Sequence, residues 1–549
     1  MDDKHVINCN DVPEIDMTRQ DGGLEHKAGV YTYQIRRSCR TDGDYTYNHA
    51  PMLTAFNNRL VLSYISGKRD EHGAPDEIVY TTSKDGCVWD KEKVLFPYML
   101  ADTDGYTGPD KELLPKKAPA IVHFRMCFYK ASNGKLIATT FYGFSPDSHR
   151  APNNGYGAAR LVREVYKDYT LSDMYIIKYN EAGGFNGDNT IFYSPEGSNE
   201  QLDIPYYVHS SDKEFVKACD ELLSKKLILE QWYEEEMYDK SYKTHGRAVS
   251  LYEDAYGNIV GLCKKGEGYL FDKEGNVLID EKIPSLITNT AKVWGQKTPD
   301  GNYIICYNPT TDGSHRWPLA VMESNDGREY YNMKALIPEI PPYKYQGNIK
   351  NLGAQYMRGI CSYNGNFDKN VWITYSCNKE DIWISKLTKD NKYSIMKPLW
   401  CDINYEHNPK PYSDRDKFTD YDDKYEIIDR DACARAIIEY FPQNKDIIRL
   451  QVEVDRMSDD NGVKVQFVGK NNKIIQEVVC IKGNTPIEAD NHSGDINSVI
   501  IYSKNILKLN TIDDDGRYST ISDMPEAERK DYYIQFKVCL LYTSPSPRD

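Results

Sequence analysis

The chain has 549 residues and a formal net charge of −15. That length allows two to four units at about 100 to 200 residues each, and the charge excludes a nucleic-acid partner, which needs a broad basic face. A few clustered arginines can still make a locally positive site for an acidic ligand. Thirteen cysteines, an odd number, show no CxxC and no metal-ligand spacing. Cys127, Cys306 and Cys361 lie in apolar runs, so buried reduced thiols are expected rather than a disulfide framework, with no metal and no cofactor. The start, MDDKHVINCN, has no apolar core segment and no later run is long enough to span a bilayer. The expectation is no membrane partner and a cytoplasmic location as written, or a secreted or periplasmic one if the native start is missing.

After a polar lead-in, residues 1–44, Pro51 to Ile65 predicts two short strands joined at Asn57-Asn58. Ile78 to Trp89, IVYTTSKDGCVW, follows: an apolar run, then Ser83, Asp85 and Gly86, then Trp89 closing the turn. Asp accepts bonds from turn amides and Gly takes a positive φ without steric cost. Leu319 to Tyr330, LAVMESNDGREY, repeats the pattern with Ser324, Asp326 and Gly327. Asn133-Gly134, Gly257-Asn258 and Asp300-Gly301 each separate further β-rich runs, and the series ends near Leu387. About twenty strands fall over residues 45–400; for a β-propeller, the fold that the resemblance named below implies, about four per blade gives five to seven blades, with six or seven expected. Ser211 to Tyr238 breaks the pattern. Ser211 with Glu214 reads as a capping box, and Phe215, Cys219, Leu222, Leu223, Leu229 and Trp232 form an apolar face at helical spacing, which predicts a helical insertion over 211–238. From Cys401 a charged connector leads into ARAIIEYF, IIRLQVEV, VKVQFVG and IIQEVVCI, short alternating strands of a small C-terminal β-sandwich, residues 401–539. The abrupt change at LLYTSPSPRD marks 540–549 as a non-native tail and leaves the completeness of the sandwich open.

A propeller gathers its functional side chains where the first strands of the blades meet, so candidates are polar or cationic residues inside apolar strands. They are His49 in YTYNHAP, Arg125 in VHFRMCFY, Arg160 and Arg163 in YGAARLVREVY, Lys292 and Gln296 in NTAKVWGQK, Arg316 in SHRWPLAV, Gln355, Tyr356 and Arg358 in GAQYMRGI, and Asn378, Lys379 and Glu380 in YSCNKEDIW. His49, flanked by Tyr47 and Asn48 and stiffened by Pro51, reads as a proton-transfer group with a pKa near working pH. Tyr356 and Tyr142 stand behind it in that role. The cations read as a carboxylate clamp, with Arg160, Arg163 and Arg358 foremost. Forty-four tyrosines and seven tryptophans serve equally as sugar-stacking faces or as strand cores.

The two Ser-x-Asp-Gly stretches resemble the Asp-box (BNR) repeat of sialidase-like β-propellers. The blocks from about Tyr47 into the sandwich resemble bacterial exo-sialidase-like proteins. The resemblance implies an all-β propeller enzyme acting on the terminal sugar of a glycan. Sialidases hold the substrate carboxylate with an arginine triad, use a tyrosine nucleophile assisted by glutamate, and employ an aspartate acid/base. Here no Arg-Ile-Pro marks the first strand. Tyr47, Asn48, His49 and Pro51 resemble instead the propeller lyases and hydrolases of uronate-linked sugars such as L-rhamnosyl-α-1,4-glucuronate. There His or Tyr moves the proton while cations hold the uronate. The expected function is cleavage of a terminal sugar from an acidic, uronate-containing oligosaccharide or polysaccharide by polysaccharide lyase or glycoside hydrolase chemistry. An exo-α-sialidase (neuraminidase) and a non-catalytic glycan-binding propeller are the alternatives.

Overall fold

The computed structural model describes residues 5–36, 45–68, 70–123, 127–146, 150–195, 200–232, 248–288, 291–313, 315–340, 350–360, 366–389, 393–397, 435–442, 446–454, 463–470, 473–481, 483–504 and 536–540. Among them the strands up to Leu387 form five four-stranded antiparallel blades. The first is Tyr47–Phe56, Arg59–Gly67, Asp76–Ser83 and Lys93–Phe96. The second begins with Lys117–His123, continued by Phe128–Lys130, and adds Leu136–Phe144, Gly157–Val165 and Tyr175–Tyr179. The third runs Ser250–Glu253 to Val277–Lys282, and the fourth Trp294–Lys297 to Glu329–Ala335. The fifth takes Leu352–Gly359, Val371–Cys377 and Asp381–Leu387 and is completed by Val30–Arg36 from the start of the chain. Residues 1–44, read as a lead-in, thus supply that closing strand and also Asn8–Cys9, which pairs in parallel with the fourth blade.

Among the described residues there are five blades where six or seven were expected, and strand use accounts for the number. Each blade takes its full four strands, while Met99–Asp102 and His315–Arg316 attach to strands already in a blade and Phe192–Tyr193 attaches to Met99–Asp102. Helix Lys213–Ser224 packs Phe215, Ala218, Cys219 and Leu222 on the second blade's Tyr129, Ile137, Val162 and Ile177. Leu227 in the next short helix packs on Val249, Cys263, Tyr269 and Phe271 of the third. The described part of the insertion therefore packs on two blades, with Trp232 lying over the Arg160 guanidinium at 4.0 Å; residues 233–238 of the expected insertion lie outside the described residues. Its N-cap is Asp212, which accepts from the Glu214 and Phe215 amides at 2.9 and 3.0 Å, not Ser211. A carboxylate reaches two of the orphan amides of the first turn and complements the helix dipole. No described helix is long and apolar enough to cross a membrane.

Past Lys397 the described strands form two facing layers: Arg435–Tyr440, Ile496–Lys504, Val463–Gly469 and Ile474–Cys480 in one, and Gly483–Asp490, Ile447–Val454 and Phe536–Leu540 in the other. Leu450, Val452, Val465, Phe467, Val499 and Ile501 fill the space between them. This is the expected sandwich.

Strand direction alternates through a blade, so the turns after the first and third strands lie at one end and all first strands begin at the other. Both Ser-x-Asp-Gly turns follow third strands and share one geometry. Ser83 Oγ accepts from the Gly86 amide at 2.8 Å, and Asp85 Oδ1 accepts from the Cys87 and Val88 amides at 2.8 and 2.9 Å. Ser324 and Asp326 repeat this with Gly327, Arg328 and Glu329 at 2.8, 2.8 and 2.9 Å. Gly86 has φ 75°, and a Cβ there would overlap the ring of Trp372 in the fifth blade. Asp85→Ala is expected to lower stability by about 1 to 3 kcal/mol, as for a lost hydrogen-bond network, read as the shift in urea midpoint. Burial acts to raise the Asp85 pKa, but the two amides and the Ser83 hydroxyl outweigh it and hold the group below its usual value. The contribution is therefore complete above about pH 4, the unfolded value, and is lost as pH falls through the lower folded value. Wild type and Asp85→Ala should converge in midpoint under acid.

Candidate active site

The first strands of the first and fifth blades are each broken by a bulge near their starting end. The ladder slips between His49 and Met52, with Ala50 at φ 53°, and between Gln355 and Arg358, with Tyr356 at φ 56°. A bulge re-aims one side chain out of the pleat, and a tyrosine in the left-handed region is a strained position of the kind that clusters at functional sites. The two bulges bring the His49 and Tyr356 rings together at 4.2 Å between centroids and 55° between planes. Both residues are buried.

Cations from other blades surround the pair. Lys264, in the turn after the second strand of the third blade, donates to the Tyr356 hydroxyl at 3.0 Å. The Tyr356 ring centroid lies 5.1 Å from Lys264 Nζ, 4.5 Å from Lys292 Nζ and 5.6 Å from Arg316 Cζ. Lys292 and Arg316 belong to the fourth blade, just before its first and third strands. Lys379, at the turn between the second and third strands of the fifth blade, makes an ion pair with Glu71 of the first. All of these positions lie at the end where first strands begin, opposite the Ser-x-Asp-Gly turns. In a chain of strongly negative total charge, Lys264, Lys292 and Arg316 make the surroundings of Tyr356 locally cationic.

Hydrogen bonding sets the state of His49. Its Nδ1 is 2.7 Å from Ser376 Oγ, and that hydroxyl donates onward to the Gln355 carbonyl oxygen at 3.5 Å. Ser376 therefore receives the Nδ1 proton, and Nε2 carries the lone pair. Nε2 is buried and has no protein hydrogen-bond partner among the described residues. Burial is the main force on its pKa, with Lys379, Arg316 and Lys292 adding to it against Glu71, and together they hold the imidazole well below its usual value. The expectation of a pKa near working pH is corrected. The sequence showed the polar neighbours but not the desolvation or the ring of cations. Glu71 is opposed by burial yet kept ionised, well below the usual range, by Lys379.

The other candidates divide by what their side chains already hold. Arg316 Nη2 donates to Asn351 Oδ1 at 3.1 Å, and its buried Nε and Nη1 have no partner among the described residues. Gln355 Nε2 donates to the Asn351 carbonyl at 2.8 Å, and its Oε1 is likewise buried and unpartnered. Arg358 lies over the Trp294 ring at 5.1 Å, and Gln296 Oε1 accepts from Trp294 Nε1 at 2.9 Å. Asn378 and Glu380 shape the turn that carries Lys379: Asn378 Oδ1 accepts from the Gly353 amide at 2.8 Å, and buried Glu380 faces buried Lys350 at 3.4 Å. Arg160 is stacked under Trp232 of the helical insertion. Arg163 is spent on main-chain carbonyls, with Nη1 to Leu95 at 3.0 Å and Nε and Nη2 to Ser172. Tyr142 sits in the hydrophobic core of the second blade and donates to the Pro97 carbonyl at 2.5 Å. Arg125 lies outside the described residues, as does Cys361; Cys127 and Cys306 are buried, in no disulfide. The sequence reading missed Lys264, Glu71 and Ser376. Lys264 sits in CKKGEG, a stretch with the look of a solvated turn.

No curated protein matches the chain. Residues 5–247 match the family described as BT_1020-like, N-terminal β-propeller. A solved structure described as a sialidase superposes with TM-score 0.77 at 26% identity over 95% of this chain. The chain has the fold of a sialidase-like β-propeller. It spans about half, 52%, of that solved protein's length. Looser likenesses to this sialidase-like propeller include a Trypanosoma rangeli sialidase in complex with 2,3-difluorosialic acid, at 7% identity and TM-score 0.37 over 84% of this chain and 85% of that one. A Podospora anserina α-L-arabinofuranosidase in complex with cellotriose follows at 11% and 0.30, over 67% and 99%. At those scores neither bears on the chemistry.

Proposed function

We propose that this propeller is a carbohydrate-active enzyme that cleaves a terminal sugar from an acidic, uronate-containing glycan, with His49 and Tyr356 at the reacting centre. The observation that carries the reading is the approach of Lys264, Lys292 and Arg316 to a tyrosine ring that packs against a buried imidazole with a bare Nε2. A buried guanidinium whose Nε and Nη1 have no partner among the described residues, beside two ammonium groups, calls for an anionic ligand, and the planar Arg316 group suits a carboxylate. Binding there neutralises the uronate charge and acidifies its C5 proton. His49 Nε2 takes that proton, the C4–O4 bond breaks as the C4=C5 double bond forms, and the Tyr356 hydroxyl passes its proton to the departing oxygen. The Lys264 ammonium then faces the tyrosine oxygen left negative. The bound carboxylate also offsets the cations that oppose charge on His49, so the base gains strength when substrate arrives.

Because the base must be unprotonated and His49 is held well below about 6.5, kcat/KM should persist into acid. Its acidic limb is expected below the pH at which an ordinary histidine titrates. A limb centred near the ordinary histidine value would remove His49 as the base.

The contact between Lys264 and the Tyr356 hydroxyl at 3.0 Å also supports hydrolysis with Tyr356 as nucleophile, the sialidase-type alternative. A panel of uronate-containing and sialylated glycans, read by mass spectrometry, separates the readings. Elimination leaves an unsaturated uronate, and hydrolysis gives a product heavier by one water. Binding without any product from the panel would favour the non-catalytic propeller and overturn the enzymatic reading.

A further inference from the structure

Between the fourth and fifth blades, at the end opposite His49, lies a cavity of 510 Å³, within the range of about 300 to 1,000 Å³ usual for small-ligand sites. It is framed by the Thr298–Asn302 turn, the end of the third strand of the fourth blade at Ser324, and Lys369 and Val371 of the fifth. Its shape depends on an irregularity in the fourth strand of that blade. The ladder slips between Val321 and Glu323, and Asn332 takes φ 57°. One extra residue breaks the in-and-out alternation, so Tyr331 and Asn332, consecutive in sequence, are both exposed and both line the cavity.

The lining combines an aromatic ring, amides and paired charges. Tyr331 is 43% exposed, a large ring facing water in a concave place. Asn302, Asn325 and Asn332 add three amides, each able to donate and accept. The charges largely cancel, since Lys27 pairs with Glu323 at 3.0 Å and Lys389 with Asp300 at 3.4 Å. Such a wall offers a flat ring for stacking and several amides that can donate and accept, with most of its charge already paired.

We propose that this cavity is a second carbohydrate-binding site, one that takes an uncharged sugar of an oligosaccharide by stacking on Tyr331 and hydrogen bonding to the three asparagines. It holds a neutral part of a glycan at the end of the propeller away from the reacting centre, which raises the local concentration of the chain for the other site.

The test is calorimetric or NMR titration of the whole protein with neutral xylo-, cello-, arabino- and galacto-oligosaccharides. At least one series should bind, and Tyr331→Ala should weaken it about tenfold or more, the loss of one aromatic face. Tyr331 is exposed, so the variant should fold, which its melting curve checks. His49→Ala should bind the same sugar as wild type does. Absence of binding by all four series would overturn the site, as would Tyr331→Ala binding at wild-type strength or loss of binding in His49→Ala. Turnover of acidic glycans is read separately, so failure here leaves the assignment of the reacting centre standing.

Discussion

His49→Ala is expected to lower kcat by about 10² to 10⁴, the usual worth of a positioned proton-transfer group, on whichever acidic glycan the wild type cleaves. The imidazole is held on one side by Ser376 at 2.7 Å and against Tyr356 at 4.2 Å, and only Nε2 remains uncommitted. Removing the ring therefore deletes the acceptor while the Lys264, Lys292 and Arg316 set stays in place. KM should change little. Because a buried ring is lost, His49→Gln serves as a second variant that fills more of the space and still lacks the base. Both should be folded by near-ultraviolet circular dichroism and nearly inactive. Wild-type kcat in either variant would end the assignment.

Tyr356→Phe should cost a similar factor, about 10² to 10⁴ in kcat. The ring, its packing on His49 and the cations over its face are kept, so stability should move by less than the loss of one hydrogen bond, about 1 kcal/mol. Lys264→Met tests the same group from its partner. If Lys264 acts by facing a negative tyrosine oxygen, its removal should lower kcat in wild type and do little more in the Tyr356→Phe background, because the two act as a unit. Additive losses in the double variant would show that Lys264 works elsewhere. Tyr142→Phe, which removes a hydroxyl bonded to the Pro97 carbonyl in the core of the second blade, should alter melting temperature and leave kcat unchanged.

Local chemistry was legible in the sequence and convergence was not. Ser83, Asp85 and Gly86 make the predicted turn because all its bonds lie within six residues. Asn57 and Asn58 do the same, with φ of 45° and 60° as a two-residue hairpin turn requires. His49 stood out because a polar ring inside an apolar strand demands an explanation. The same rule misled for Arg160 and Arg163, whose buried charge is met by Trp232 and by main-chain carbonyls, partners that strand patterning does not reveal. It failed the other way for Lys264, whose neighbours Lys265 and Glu267 look solvated although its ammonium reaches a tyrosine in another blade. The bulges at Ala50 and Tyr356 were equally hidden, since neither position carries the glycine that would announce a positive φ.

The most direct test of an anion-directed site compares one cleaved glycan in two forms, its uronate carboxylate intact and the same carboxylate reduced to a primary alcohol. Sites built to pair a charged substrate group reject the analogue that lacks it. Wild-type enzyme should therefore lose at least about 10² in kcat/KM on the reduced form. Equal kcat/KM on both forms would contradict the account, because the cations around Tyr356 would then have no part in recognising the substrate.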